Sequence, residues 1–580
     1  MKRVLNVSSS SLEIRKLEDW RAYTLFFLIF AGFIGLVGRS FYLQSLNNGF
    51  LQNKGASRYM QKIEIAPTRG MIVDRNDEPL AISSPVESVT ANPVDVEISA
   101  IQMKRLVILL DADVNDIKAK LAQSKKDFVY LKRQLPPEQA AKVVEMNIPG
   151  VSLRREFQRY YPAGEVFAQV IGFTDVDGKG QEALERAFED NLRGSAGHRR
   201  VIHDKKGQII QDLESIRAKQ NGQQLKLSID AKIQYLAFRE LKKAINEHHA
   251  KAGGLIVMDT VTGEILAMVN LPTFNPNNRG KVDPDRTRNR TVTDTFEPGS
   301  TLKPFTIATA LEQGTVKADS VIQTATGQMT IGKATIHDTH AYGPLTVSQV
   351  IQKSSNVGAA KIALGLSSEA MWNMFHQVGF GAQPKSGLPG EVAGRLRAHE
   401  NWRPIEQATM AFGHGISVSL LQLTRAYSIF ATEGELRNPV LLKADTLQES
   451  VPVISAKTAH AVRKMLEMVV DAGGTAPKAQ VPGYHVAGKT GTAHKVDGRG
   501  YAANRYISSF IGFAPASNPR LIISVMIDEP RGGQYYGGGV AAPVFSEVMG
   551  GALRMMKVPP DAPEEKLVIP PTTPEVKEEV

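Results

Sequence analysis

One stretch near the N-terminus limits the topology of everything after it. Residues 22–38 are 17 residues without a charge, flanked by Arg21 and Arg39. As a helix rising about 1.5 Å per residue, this run is roughly 26 Å long, close to the apolar thickness of a bilayer. The two arginines can extend outward, and Trp20, Tyr23 and Tyr42 suit the interfacial belts. A cleaved leader is the rival reading, but Leu36-Val-Gly38 lacks the small residue that a cleavage site needs first. The run therefore predicts an uncleaved single-pass anchor over 22–43. A short cytoplasmic end, 1–21, would carry Lys2, Arg3, Arg15 and Lys16. No later run is long and apolar enough to return, so the rest of the chain is expected on the far side of the membrane.

At 580 residues the chain exceeds one domain. The net charge of +10 is scattered, with no basic run interleaved with aromatics, which argues against nucleic acid. Cysteine is absent, excluding disulfides, thiol catalysis and thiolate metal sites. From 44 to 224 short strand-like runs such as Ile63-Glu-Ile65 alternate with helical stretches such as 138–146. Arg69-Gly-Met-Ile-Val-Asp-Arg75 reads as a hairpin with surface ion pairs. With no nucleophile, phosphate loop or metal spacing, this part reads as a pedestal.

A second unit, 225–558, opens with a strand at Leu225 and a capped amphipathic helix over 231–249. Hairpins are expected at 255–258 with 264–269, and far downstream at 509–513 with 521–527. The segment between them is mostly helical, so the predicted fold class is α+β. From Pro559 the chain turns Pro- and Glu-rich and reads as a disordered tail, 559–580.

Three short motifs share the second unit. Ser300-Thr-Leu-Lys303 places the only serine with a lysine three residues on where a helix begins, after the Pro298-Gly299 turn. Ser354-Ser-Asn356 and Lys489-Thr-Gly-Thr492 follow in that order. Alone, each is more often a cap, a turn or an edge strand. Together they are the order of motifs found in penicillin-binding proteins and serine β-lactamases. Ser300 would attack a carbonyl, and Lys303 would take its proton, with its pKa depressed by Lys489. Ser354 would relay a proton to the leaving amine. Asn356 would donate to Lys303 or to the substrate amide. Thr490 and Thr492 would hold a substrate carboxylate, and Gly491 would let an extended peptide lie against the strand. The N–H groups of Ser300 and Thr492 would form an oxyanion hole worth about 3–4 kcal/mol per donor.

With these motifs in place the chain resembles the class B penicillin-binding proteins, over about residues 20–558. The likeness includes Arg69–Arg75, Arg159-Tyr-Tyr-Pro-Ala-Gly164, 274–278, Phe296-Glu-Pro-Gly-Ser300, Lys489–Thr492 and Tyr535-Tyr-Gly-Gly538. It is nearest to the division-specific D,D-transpeptidases of Gram-negative bacteria. The resemblance implies an inner-membrane anchor, a pedestal and a periplasmic β-lactamase-like transpeptidase domain that cross-links septal peptidoglycan. It implies a D-Ala-D-Ala stem peptide as donor, a stem-peptide amine as acceptor, and β-lactams as trapped mimics. It also implies an FtsW-type septal polymerase and other division proteins as partners, and neither metal nor cofactor. Glu297, Tyr506, Tyr535 and Tyr536 match substrate-pocket positions of the family. Gly413-His-Gly415 departs from its usual Gly-Tyr-Gly.

The same motifs would serve a D,D-carboxypeptidase or serine β-lactamase, for which no water-activating base is identifiable. They would also suit an elongation-type class B enzyme, or a division scaffold that keeps the fold without the chemistry. No Gly-x-Ser-x-Gly elbow supports a Ser-His-Asp hydrolase.

Overall fold

In the computed structural model, residues 18–46, 60–123, 128–203, 209–280, 282–443, 446, 449–498 and 500–562 are described. Most of the expected cytoplasmic end and nearly all of the expected tail lie outside them. The apolar run forms helix α1 (Asp19–Phe41), three residues earlier than its charge-free core, and passes into a π-helical turn at Tyr42–Leu46. None of its side chains is buried by protein. It is the one helix among the described residues long and apolar enough to cross a membrane, consistent with a single-pass anchor.

The pedestal is built on two sheets. Strands β1 (Met60–Ile65), β6 (Gly197–His203) and β7 (Ile209–Arg217) make an antiparallel ribbon, with β6 in the middle. The other sheet centres on β3 (Pro79–Ala91), which lies between β4 (Val129–Leu135) and β2 (Ile72–Val73). β5 (Val151–Tyr160) pairs with β3 on the side away from β4, and β8 (Leu225–Lys226) extends the sheet parallel to β2. A separate small core, including Val89, Leu106, Leu110, Ile117 and Val143, closes the end of this sheet.

The Arg69–Arg75 segment departs from the surface hairpin expected of it. Arg69 is buried, and its Nε donates to Glu185 Oε2 at 2.6 Å while another guanidinium nitrogen reaches Glu189 at 2.7 Å. Arg159 Nε meets the other oxygen of the fully buried Glu185 at 2.7 Å. Two arginines thus share one interior carboxylate, which is tolerable because every charge has an opposite partner. Seven residues of sequence cannot show this burial, since both acids come from more than a hundred residues away.

The same segment ties the pedestal to the second unit. Asp74 accepts the N–H of Ala231 at 3.0 Å, capping helix α2 (Ala231–Glu247) together with its N-cap Asp230. Arg75 pairs with Glu264 at 3.3 Å. Ile72 and Leu80 of the pedestal belong to the same apolar cluster as Ile256 and Val257 of the central sheet.

That central sheet has five antiparallel strands. β9 (Ala252–Asp259) and β10 (Ile265–Leu271) form the first hairpin. Strands β11 (Ala487–Asp497), β12 (Gly500–Ala514) and β13 (Leu521–Asp528) return from the end of the chain, giving the order β10-β9-β13-β12-β11. β9 and β13 are buried along their whole length, because helices cover both faces. β12 begins nine residues before the expected Ser509, since it pairs with β11 as well as β13. Between the two strand groups run helices α3 (Lys303–Glu312), α4 (Val347–Lys353), α5 (Asn356–Leu364) and others. The architecture is α+β, with β11 as the outer strand facing the start of α3.

Candidate active site

Ser300 sits in a 3₁₀ turn, Gly299–Leu302, that runs directly into α3 at Lys303. Gly299 has φ +56°, and a Cβ on Gly413 would lie 2.2 Å from its carbonyl oxygen. Two loops therefore meet backbone to backbone behind the serine, and only glycines permit it. One helical turn brings Lys303 Nζ to 2.8 Å from Ser300 Oγ. Both groups are buried, Ser300 at 5% exposure and Lys303 at 0%.

Ser354 ends α4 in the left-handed conformation, φ +59°, an unusual cost for a residue other than glycine. The turn aims two of its atoms at the same lysine. Lys303 Nζ donates to the Ser354 carbonyl at 2.5 Å and lies 3.0 Å from its hydroxyl. Lys489 Nζ, also at 0% exposure, reaches that hydroxyl from β11 at 2.8 Å. Ser354 Oγ thus bridges two lysine amines, one of which also touches Ser300. Three motifs separated by 189 positions, 489 minus 300, meet in one hydrogen-bonded row.

The next residues are held by a carboxylate that sequence reading missed. Asp338 accepts the Ser355 hydroxyl and the Asn356 N–H, both at 2.6 Å, and the Val357 N–H at 3.0 Å. A negative charge on the free N–H groups that begin α5 is favourable there. Asn356 Nδ2 donates to the His337 carbonyl at 3.2 Å.

Along β11 the side chains alternate. A Cβ on Gly491 would lie 2.5 Å from Ser509 Oγ and 2.9 Å from the Pro298 carbonyl. The missing side chain therefore lets the nucleophile turn and β12 close on β11, a different reason from the substrate clearance expected. Thr490 is fully buried, 2.8 Å from the Thr475 hydroxyl and 3.2 Å from Lys489 Nζ. Thr492 Oγ1 accepts the Gly537 N–H at 3.1 Å.

Glu297 accepts the Gly415 N–H at 2.8 Å and the Tyr501 hydroxyl at 3.1 Å. Burial pushes its carboxyl above the usual range, against the pull of those two donors. Tyr506 stacks on Tyr535 at 4.1 Å, and the hydroxyls of Tyr535 and Tyr536 lie 2.9 Å apart. The aromatic row is longer than the three tyrosines expected. His494 packs on Tyr506 at 4.7 Å, and Tyr501 stands 6.1 Å from His494 and 6.0 Å from His414. The period of two along β11, from Thr490 through Thr492, was the signal available for His494. Burial, followed by the charges of Lys303 and His494, pushes His414 down to about 4, so the ring is neutral at pH 7.

An antiparallel sheet flanked by helices, with a buried Ser-Lys pair and a second lysine on the outer strand, is the arrangement of the serine penicillin-interacting fold. Residues 253–550 match the penicillin binding protein transpeptidase domain, and residues 64–227 match the penicillin-binding protein dimerisation domain. The chain belongs to the class B penicillin-binding protein family. It is 45% identical to the probable peptidoglycan D,D-transpeptidase PenA of Neisseria meningitidis, over 92% of each chain. It is 40% identical to the peptidoglycan D,D-transpeptidase FtsI of Escherichia coli, over 94% of this chain and 93% of that one. The transpeptidase domain of Burkholderia pseudomallei penicillin-binding protein 3 matches 58% of this chain and 98% of its own, at 48% identity and a TM-score of 0.54.

Proposed function

We propose that this chain is a peptidoglycan D,D-transpeptidase of the septal type, acting through an acyl-enzyme at Ser300. The observation that carries the reading is the row Ser300–Lys303–Ser354–Lys489, closed by contacts of 2.8, 3.0 and 2.8 Å. Two amines within reach of one hydroxyl in a dry pocket disfavour both being charged. One neutral lysine is then available, and the 2.8 Å contact makes Lys303 the group that takes the Ser300 proton. Ser354, held between the lysines, passes that proton to the departing D-alanine amine. An incoming stem-peptide amine reverses the same path and takes the acyl group.

The N–H groups of Ser300 and Thr492 are the proposed oxyanion donors. Their juxtaposition is supported by Gly299, whose absent Cβ would lie 3.1 Å from the Thr492 carbonyl. Thr492 and the tyrosine row are the proposed substrate contacts, with Glu297 holding the rim through Gly415 and Tyr501. Thr490 and Asn356 support the two lysine-bearing elements from behind. β-Lactams are read as mimics that stop at the acyl-enzyme. The division into anchor 22–43, pedestal 44–224 and transpeptidase domain 225–558 belongs to this reading. So do a periplasmic catalytic domain, an FtsW-type polymerase and other division proteins as partners. The names of the Escherichia coli and Neisseria relatives support the transpeptidase activity in it.

The test is turnover of a stem pentapeptide ending in D-Ala-D-Ala, with a second stem peptide as acceptor. Release of D-alanine together with a cross-linked product is expected from the native chain and not from Ser300→Ala. Release without cross-linking, in the presence of acceptor, would replace transpeptidation by carboxypeptidation.

A further inference from the structure

A cavity of about 570 Å³ lies where Phe188 of the pedestal meets the second unit, and no residue of the serine site lines it. One wall is the segment 438–442, which is bound into the seam between the two units. The Leu441 carbonyl accepts the Ser228 N–H at 2.8 Å, and Lys443 donates to the Lys226 carbonyl at 3.0 Å. Leu227 in turn donates to Val73 of the pedestal strand β2 at 2.9 Å. The other walls are the end of helix α6 (Ser368–Gln377), the loop 382–386, and Arg425 of helix α7 (Leu420–Ala426).

Arg425 is held in this wall by two neighbours and neutralised by neither. Gly379, at φ +96°, makes room for the guanidinium, since a Cβ there would lie 2.5 Å from Nη1. Nη2 donates to Asn438 Oδ1 at 2.7 Å, and the buried Nε has no partner. A guanidinium carries five N–H donors, so most of its bonding capacity is left over. Burial pulls Arg425 below the usual arginine pKa, and no neighbouring acid opposes that pull. Arg463 shows how the same domain closes an interior arginine that is structural. It donates to the Phe430 and Thr432 carbonyls at 3.0 and 2.9 Å, with Glu433 at 3.9 Å. A half-buried cation short of both charge and acceptors, on the wall of an open cavity, favours an anion from outside.

The rest of the lining agrees. None of the described residues around the cavity is acidic, whereas Lys385 and His376 add basic groups. Glu391, which holds the loop, has its oxygens on the N–H groups of Lys385 and Ser386 at 2.8 and 2.7 Å. Phe188, Pro384, Leu441 and Leu442 supply apolar wall, and the volume is in the range of about 300–1,000 Å³ typical of small-molecule sites.

We propose that this cavity binds a small organic anion, a carboxylate or phosphate on an apolar body. Its charge pairs with Arg425 and Lys385, and its apolar part rests on Phe188 and Leu442. Such an occupant touches both units across their seam.

The test is calorimetric titration of the full-length chain in detergent with phenyl phosphate, benzoate and benzyl alcohol. At least one of the two anions is expected to bind about tenfold or more tightly than the alcohol. Tighter binding of phenyl phosphate assigns the site to phosphates, and tighter binding of benzoate assigns it to carboxylates. Arg425→Gln removes the inner cation, and Lys385→Glu reverses an exposed one; each is expected to weaken the anion about fivefold or more. Cooperative near-ultraviolet dichroism melts show which variants are folded. Unchanged anion binding by folded Arg425→Gln, or by Lys385→Glu should the first not fold, would place the anion elsewhere and overturn the proposal. Benzyl alcohol binding as tightly as the anions would overturn it too, as would no binding of either anion at about 10 mM.

Discussion

His414 makes the chain's stability dependent on acid in a way that can be calculated. Its pKa is pushed from 6.5 to about 4, first by burial and then by the charges of Lys303 and His494. A histidine depressed in the folded state binds protons more readily once unfolded, so acid favours unfolding. The stability it contributes is complete above pH 6.5 and is lost as pH falls towards 4. Between pH 8 and pH 4.5 the loss is at most roughly 2.5 kcal/mol, trimmed by the ring's partial exposure. For a domain of this size that is about 3–4 °C of melting temperature. Near-ultraviolet dichroism melts of native chain and His414→Phe, at pH 8 and pH 4.5, isolate the term by difference. Phenylalanine keeps an aromatic ring against Phe412 and Tyr501 while removing the titration. The variant is expected to lose less on acidification than the native chain, by that margin. Acylation by a fluorescent penicillin should fall in the native chain through the same window, as a further cation forms at His414 in the pocket that holds the two lysines. Identical pH slopes for the two proteins would refute the reasoning.

Three other substitutions test separate parts of the account. Glu185→Ala strands Arg159 in the interior and leaves Arg69 with Glu189 alone, and a loss of about 3–5 kcal/mol is expected in chemical denaturation. Gly491→Ala forces the nucleophile turn off β11, and acylation is expected to drop about a hundredfold with the fold retained. Asp338→Ala leaves three donors without their acceptor; acylation is expected to fall, along with about 1–3 kcal/mol of stability.

The site was legible because its chemistry is carried by short, local spacings. Ser300 and Lys303 are one turn apart on any helix, and Lys489 announces itself through the Thr-Gly-Thr that follows. The anchor was legible for the same reason, as an uninterrupted run. What stayed hidden depends on contacts far apart in sequence. Nothing near Arg69 shows that its carboxylates arrive from Glu185 and Glu189, so a buried network looked like surface charge. Gly491 looked like clearance for substrate, because Ser509 and Pro298 were not known to press on it. Asp338 sits 18 residues before Asn356 in a polar stretch, with no local feature to mark it. β12 was placed short because its first nine residues lack a run of buried apolar side chains, with Tyr501 exposed and Tyr506 half-buried, and pair chiefly with β11.

The central claim is a covalent bond at Ser300. The most direct measurement incubates the full-length chain in detergent with benzylpenicillin, then locates the added mass by peptide mapping. The account predicts one adduct per chain, on the peptide containing Ser300, persisting for hours and absent from Ser300→Ala. A folded native chain that takes up no adduct, or carries it on another residue, would contradict it.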